Sequence, residues 1–286
     1  MCCPPVLGTL FTAVSFGFLL ALSPVIKAAQ PVKACVSPAT VVSGPGATGI
    51  VELFTSEGCD SCPPADKWFS ALPAIDGKLI PLAFHVDYWD YIGWKDRFGK
   101  PSFAERQRAE VSRGGGRTVY TPQVLYNGKD WRGLSGSTGL TASVGDMNAR
   151  PSRAAVVLGL KLAESAKGGV TDQPAAMQTQ SLEVHLSVKI ADANERKDAA
   201  LFMAITENNL TSRVGAGENR GATLTHDHLV RELIGPIAIP VEGTLEVSRL
   251  LALLSDWKLN DLHIAAFVQN QRNGDVLQAV SSPLCR

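Results

Sequence analysis

Ile50-Val51-Glu52-Leu53-Phe54, followed by Cys59-Asp60-Ser61-Cys62 and then Pro63-Pro64, decides how the fold of this chain is read. The apolar pentad reads as a buried strand, and residues 65–75 after the prolines carry helical spacing. Two cysteines separated by two residues, where a strand gives way to a helix, form a redox motif. Unpaired N–H groups and the macrodipole at a helix N-terminus favour an anion, so a thiol placed there ionises more readily. The thiolate is the reactive form. Proline at the first helical position costs little, because its missing N–H would have gone unpaired. Cys59, ahead of the helix, is therefore expected to be the exposed nucleophile, and Cys62, in the first turn, the shielded resolving thiol. Half of a zinc site is one rival, but Cys2, Cys3, Cys35 and Cys285 supply no second pair at short spacing. A purely structural bridge is the other.

About sixty residues on, Thr118-Val119-Tyr120-Thr121-Pro122-Gln123-Val124-Leu125-Tyr126 places a Thr-Pro at the head of an apolar strand. Asn127-Gly128 follows as a hairpin signal, with residues 129–133 as the return strand. In order and spacing, residues 50–133 resemble a thioredoxin-like domain. That resemblance implies a cis Thr121–Pro122 bond beside the disulfide, with Thr121 and Pro122 shaping the substrate-binding edge. Residues 51–66, His85-Val86-Asp87-Tyr88-Trp89-Asp90, Tyr120-Thr121-Pro122-Gln123 and Tyr126-Asn127-Gly128 are similar to the signature of a bacterial secreted family, domain of unknown function 1223. The expected architecture is an α/β thioredoxin-like domain over 48–150 and an antiparallel β-sandwich domain over 151–286.

Around the motif, Trp68, Phe69, Leu72 and Ile75 fall on one helical face and are expected in the core. Residues 79–86 read as the second buried strand. His85 at its end is either a metal ligand or, as the favoured reading, a hydrogen-bonded core histidine. Asp87, Tyr88, Trp89, Asp90, Tyr91 and Trp94 make an aromatic and acidic loop expected to border the cysteines. Asp60, Ser61, His85, Asp87 and Trp89 are thus candidate site neighbours. Residues 102–113 read as a charged helix with one solvated face.

From Pro151 the pattern turns to period two. Leu182, Val184, Leu186, Val188 and Ile190 alternate with polar residues, as one buried strand face requires. Six further strands are expected at 154–162, 200–207, 228–234, 243–247, 262–270 and 276–281, which suits a sandwich. Residues 245–257 also fit a partly helical reading. His226-Asp227-His228 would put both histidines on one strand face, as a solvated pair in preference to a metal site.

The 286 residues are 45% hydrophobic, and 27 basic residues balance 27 acidic ones. That gives no electrostatic footprint for nucleic acid and no polybasic membrane patch. Residues 1–34 read as a signal peptide or N-terminal anchor: no charge occurs from Cys2 to Ile26, although the missing basic n-region is unusual. In an oxidising compartment four cysteines would remain, and Cys35–Cys285 becomes a candidate structural disulfide. The expected function is a periplasmic or secreted thiol–disulfide oxidoreductase using Cys59 and Cys62, with no cofactor beyond the redox-active disulfide and no metal. Its partners would be protein or small-molecule thiols and disulfides. The competing expectation is a non-catalytic binding module that holds copper or a protein partner. Nothing in the chain sets its oligomeric state.

Overall fold

The computed structural model describes Met1 and residues 39–72, 78–133, 137–163 and 180–285. Strand β1 (Ala39–Val42) is followed by β2 (Gly49–Thr55), helix α1 (Pro63–Ser70), β3 (Leu79–His85) and α2 (Pro101–Arg113). Then come β4 (Gln123–Tyr126), β5 (Lys129–Asp130) and α3 (Ser137–Asn148). The rest of the chain supplies β6 (Ala155–Ala163), β7 (Gln180–Lys189), α4 (Ala193–Arg196), β8 (Ala199–Glu207), β9 (Leu210–Arg213) and β10 (Thr223–His226). It closes with β11 (Leu229–Ala238), β12 (Thr244–Leu253), β13 (Leu262–Asn270) and β14 (Val276–Pro283).

β2 and β3 run parallel in register from Gly49↔Leu79 to Thr55↔His85, and both are buried throughout. β4 pairs antiparallel on the other side of β2 and turns at Asn127-Gly128 into β5. Both turn residues have positive φ, 47° and 75°, the geometry Asn-Gly supplies in a two-residue hairpin. The Thr121–Pro122 bond at the head of β4 is cis, as expected.

The sheet does not end at β3. β11 joins it in parallel at Ala83↔Leu229, and β8, β13 and β14 continue antiparallel. The result is one eight-stranded mixed sheet in the order β14-β13-β8-β11-β3-β2-β4-β5. A four-stranded antiparallel sheet, β1-β6-β7-β12, is separate, and β9 with β10 forms a two-stranded arm. This overturns the expected α/β thioredoxin-like domain followed by an independent β-sandwich domain. The molecule is mostly sheet, and residues 39–285 lie in one compact unit. The cause is a pairing of strand edges. Periodicity finds each strand but does not say which edge it will cover, and the open edge of β3 is covered by strands from the second half.

Alternation sorts the core. Val51 and Leu53 face α1 and α3 with Phe69, Leu140 and Val144. On the same face of the large sheet, Leu201, Met203, Ile205, Ile264 and Val268 meet Leu158, Leu182 and Leu186 of the four-stranded sheet. The sandwich is real as packing, although one of its layers is the shared sheet. The opposite face carries Phe54, Phe84, Phe202 and Phe267 beneath Phe103 of α2. Each such ring is worth about 1.5–3 kcal/mol when fully buried. The expected solvated face of α2 is there, with Ser102, Glu105, Arg108 and Ser112 exposed, while its other face buries the polar Arg106, Gln107 and Glu110 with Phe103 and Val111. The stretch 245–257 is strand through Leu253, with no helix in it. Phe69 and Leu72 are buried as expected, and Ile75 lies outside the described residues.

Candidate functional site

β2 delivers Ser56-Glu57-Gly58-Cys59 to the C-terminal end of the parallel pair, where open sheets place their sites. Cys59 and Cys62 are joined in a disulfide with Cα atoms 5.4 Å apart, a normal separation. Cys62 is the N-cap of α1, and Pro63 and Pro64 open the helix. Ser61 Oγ lies 3.4 Å from Cys59 Sγ. Asp60 and Ser61 are exposed, yet both cysteines retain 0% exposure. The expected exposed Cys59 is therefore corrected: in the disulfide form it is as buried as Cys62.

The cover comes from two directions. A Cβ on Gly58 would stand 3.1 Å from Trp89 Cβ and 3.3 Å from Ile92 Cδ1, so the aromatic loop lies directly against the turn. From the other half of the chain, the tip of the β9–β10 arm reaches the same turn. Asn219 Nδ2 donates to Glu57 O and to Cys59 O, both at 2.9 Å. Asp60 N donates to Glu218 Oε2 at 3.2 Å.

Beneath the turn lies a buried acid–base cluster. Glu57 is fully buried; its Oε2 accepts from Trp94 Nε1 at 2.7 Å, and its Oε1 is 3.1 Å from His226 Nε2. Glu57 N donates to Asp96 Oδ2 at 2.9 Å, and the same oxygen is 2.6 Å from His85 Nδ1. Asp96 Oδ1 accepts from Phe98 N. The His85 and His226 rings meet edge to face with centroids 4.7 Å apart. Burial pushes the Asp96 carboxyl up, but the His85 charge and hydrogen bond outweigh it and hold the group at about 2. Burial likewise opposes ionisation of Glu57, and the His226 hydrogen bond does most to bring it below the ordinary carboxylate value. Burial lowers His85, but the Asp96 charge prevails and raises it. Asp66, inside α1, is raised chiefly by burial and lines a small cavity with His85, His226 and Asp227.

The structure brings most candidate neighbours together. Trp89 Nε1 donates to Thr121 Oγ1 at 2.7 Å, which ties the residue before Pro122 to the loop packed on Gly58. Asp87 is half-buried in that loop, and its carbonyl accepts from Asp90 N at 3.0 Å. His85 is the hydrogen-bonded core histidine of the favoured reading. The expected His226/His228 face does not form: β10 ends at His226, and His228 takes φ 55° in the turn that follows. His226 bonds Glu57 instead, while burial drives His228 down to about 4. Among the described residues no three His, Cys, Asp or Glu side chains are grouped as metal ligands. Cys285 packs against the sandwich core and is disulfide-bonded; its expected partner, Cys35, lies outside the described residues. So does the expected export segment, 1–34, apart from Met1. Among the described residues no helix is long and apolar enough to cross a membrane.

A family model described as a protein of unknown function, DUF1223, matches residues 50–269. The chain belongs to that family. No curated protein matches this DUF1223 chain. Among solved structures it is similar to a structural-genomics protein of Agrobacterium tumefaciens, with a TM-score of 0.53 and 22% identity over 84% of this chain and 95% of that one. It is also similar to HBP35 of Porphyromonas gingivalis, with a TM-score of 0.56 and 18% identity over 84% of this chain and 76% of that one. At these identities the likeness is one of fold.

Three partners of the site in this DUF1223 chain escaped the sequence. Asp96 stands eleven residues past the end of β3, and Glu218 and Asn219 lie more than 150 residues after the cysteines. Local spacing carries no signal for any of them. The sequence does offer one weak clue: Gly215, Gly217 and Gly221 punctuate a short segment between strands, as a tightly packed tip requires.

Proposed function

We propose that the protein is an exported thiol–disulfide oxidoreductase, periplasmic or secreted, that exchanges disulfides with protein or small-molecule thiols. The observation that carries this reading is the Cys59–Cys62 disulfide at the N-terminus of α1, set on a buried cluster of paired carboxylates and histidines. Buried titratable groups bonded to the turn that bears a disulfide favour chemistry there. In the oxidising direction a substrate thiolate attacks Cys59 Sγ; the Cys59–Cys62 bond breaks, and Cys62 leaves as the thiolate and takes up a proton. A second substrate thiolate then attacks the substrate sulfur of the mixed disulfide and releases Cys59. The substrate loses two electrons and the protein gains two. In the reducing direction Cys59 attacks and Cys62 resolves.

Trapping with Cys62→Ala tests the proposal. The variant should accumulate a mixed disulfide through Cys59 in cells, and the wild type should reduce or oxidise insulin disulfides in vitro. Absence of both, with copper co-purifying in stoichiometric amount, would instead establish the binding-module alternative.

A further inference from the structure

We infer that the tip of the β9–β10 arm, residues 214–222, is a latch over the redox turn, and that Asn219 is the positioning residue that closes it. The inference rests on the thiol–disulfide reading and adds an access step to it. Both sulfur-bearing residues are at 0% exposure although their neighbours Asp60 and Ser61 are open to solvent. An attacking thiolate must approach a disulfide sulfur directly, so a buried disulfide exchanges only after something moves.

The geometry identifies what moves. The root of the arm is pinned by buried His226 against Glu57. The tip holds the turn through few bonds: the Asn219 carboxamide spans the carbonyls of Glu57 and Cys59, and exposed Glu218 accepts the Asp60 amide. Val214 at the base of the tip is buried; beyond it the remaining support is glycine against aromatic and aliphatic side chains. Gly217 stands at φ 73°, where a Cβ would lie 3.3 Å from Ile92 Cδ1 and Trp94 Cβ, and Gly215 rests on Trp94. A segment held by three hydrogen bonds and shallow packing belongs to the low-stability end of a fold, where local opening is cheap. Its root stays closed while the tip lifts.

The test follows reduction of the wild-type disulfide by a small phosphine at rising concentration. A latch predicts a rate that levels off at the opening rate. Asn219→Ala removes two hydrogen bonds and should raise that plateau by about tenfold to thirtyfold. Glu218→Ala, at an exposed position that folding tolerates, should raise it by about twofold to fivefold. Arg220→Ala, on the tip but with an exposed side chain that makes none of the bonds to the turn, should leave it unchanged. The midpoint potential against glutathione should stay constant across these variants, because a gate alters the rate and not the equilibrium; a shift in potential with the rate would mean that Asn219 only props up the turn. A wild-type rate linear in phosphine, or a plateau unmoved by both Asn219→Ala and Glu218→Ala, overturns the latch. The phosphine needs no biological substrate, so a gated disulfide that never exchanges with protein thiols would sink the oxidoreductase reading and leave the latch standing.

Discussion

Two groups of buried charge lie on opposite faces of the large sheet, and their difference separates architecture from chemistry. Under α2, Arg106 Nε bonds Glu52 Oε1 at 2.6 Å and its guanidinium approaches Glu110 at 3.3 Å, while Gln269 of β13 donates to Glu110 at 2.8 Å. Arg106 also sits over Phe84, Phe202 and Phe267, at 5.1–5.6 Å from the ring centroids. This group stitches the first half of the chain to the second and touches no reactive atom. The other group, His85, Asp96, Glu57 and His226, is attached to the turn that carries Cys59. Both contain fully buried carboxylates, so burial of charge does not by itself mark function. What distinguishes the second is that its hydrogen bonds run to Glu57, two residues before Cys59 on the turn that carries the disulfide.

The largest effect expected is on the architectural side. Arg106→Met strands Glu52 without its buried counter-charge, leaves Glu110 with Arg113 alone, and should destabilise the protein by about 3–5 kcal/mol in denaturant unfolding. Adding Glu52→Gln should restore part of that loss, while the Cys59–Cys62 potential stays where it was. A small loss, or a moved potential, would erase the distinction between the two groups. Asp96→Asn on the other face keeps the shape but removes the charge shared by His85 and the Glu57 amide. Its cost should be about 2–4 kcal/mol. Here the redox potential should move, and the His85 pKa should fall from its raised value in a histidine NMR titration.

Acid sharpens the same contrast. His228 titrates at about 4 when folded against 6.5 otherwise. Between those values the unfolded chain binds the extra proton, so stability falls as pH drops from about 6.5 to 4, by an amount on the order of 3 kcal/mol. Asp96, lowered from 3.8 to about 2, contributes a second loss of similar size as pH falls through that interval. His85 has the opposite sign: its raised pKa stabilises at low pH, and that contribution fades as pH rises through the folded value. Urea titrations across pH should therefore show two acid steps. His228→Asn, at a position of positive φ that Asn accepts, should shrink the first, to which half-buried His263 also contributes. Asp96→Asn should shrink the second, which Asp96 shares with Glu57.

How much of this was legible depends on the range of the interaction. β2, the Cys-x-x-Cys turn, the Asn127-Gly128 hairpin and the alternation of β7 are local, and the sequence displays them through period and turn chemistry. The cis Thr121–Pro122 bond followed from family resemblance. What stayed hidden was pairwise and distant: the edge of β3 taken by β11, Gln269 answering Glu110, and Asn219 reaching Cys59. Arg106 and Glu110 illustrate the reason. Their i,i+4 spacing is that of any solvated helix pair, and only the apposed phenylalanines make it a buried one. His226-Asp227-His228 misled in the same way, because one residue in the left-handed region cancels the alternation that a strand would impose.

The smallest effect expected sits at the cysteines themselves. Asp60 lies between them but is exposed, so its charge acts on Cys59 through near-aqueous dielectric. Asp60→Asn should lower the Cys59 thiol pKa in the reduced protein by only about 0.3–0.5 units at low salt, and by less at physiological ionic strength. The direction is set by charge: removing an anion favours the thiolate. The helix offers a limited counterweight, since Pro63 and Pro64 deprive its first turn of two N–H donors. Glu57, ionised and buried beside the turn, opposes the thiolate from below, while His85, with its raised pKa, brings positive charge to the same cluster. We expect Cys59 to titrate nearer the neutral range than the strongly acidic one, which makes the disulfide the harder form to reduce and suits a reductant or isomerase. Thiolate absorbance followed against pH in wild type and Asp60→Asn reads this directly. A wild-type Cys59 ionised well below neutral pH would mean that His85 dominates the sulfur's field, and the buried cluster would then be the source of an oxidant's poise.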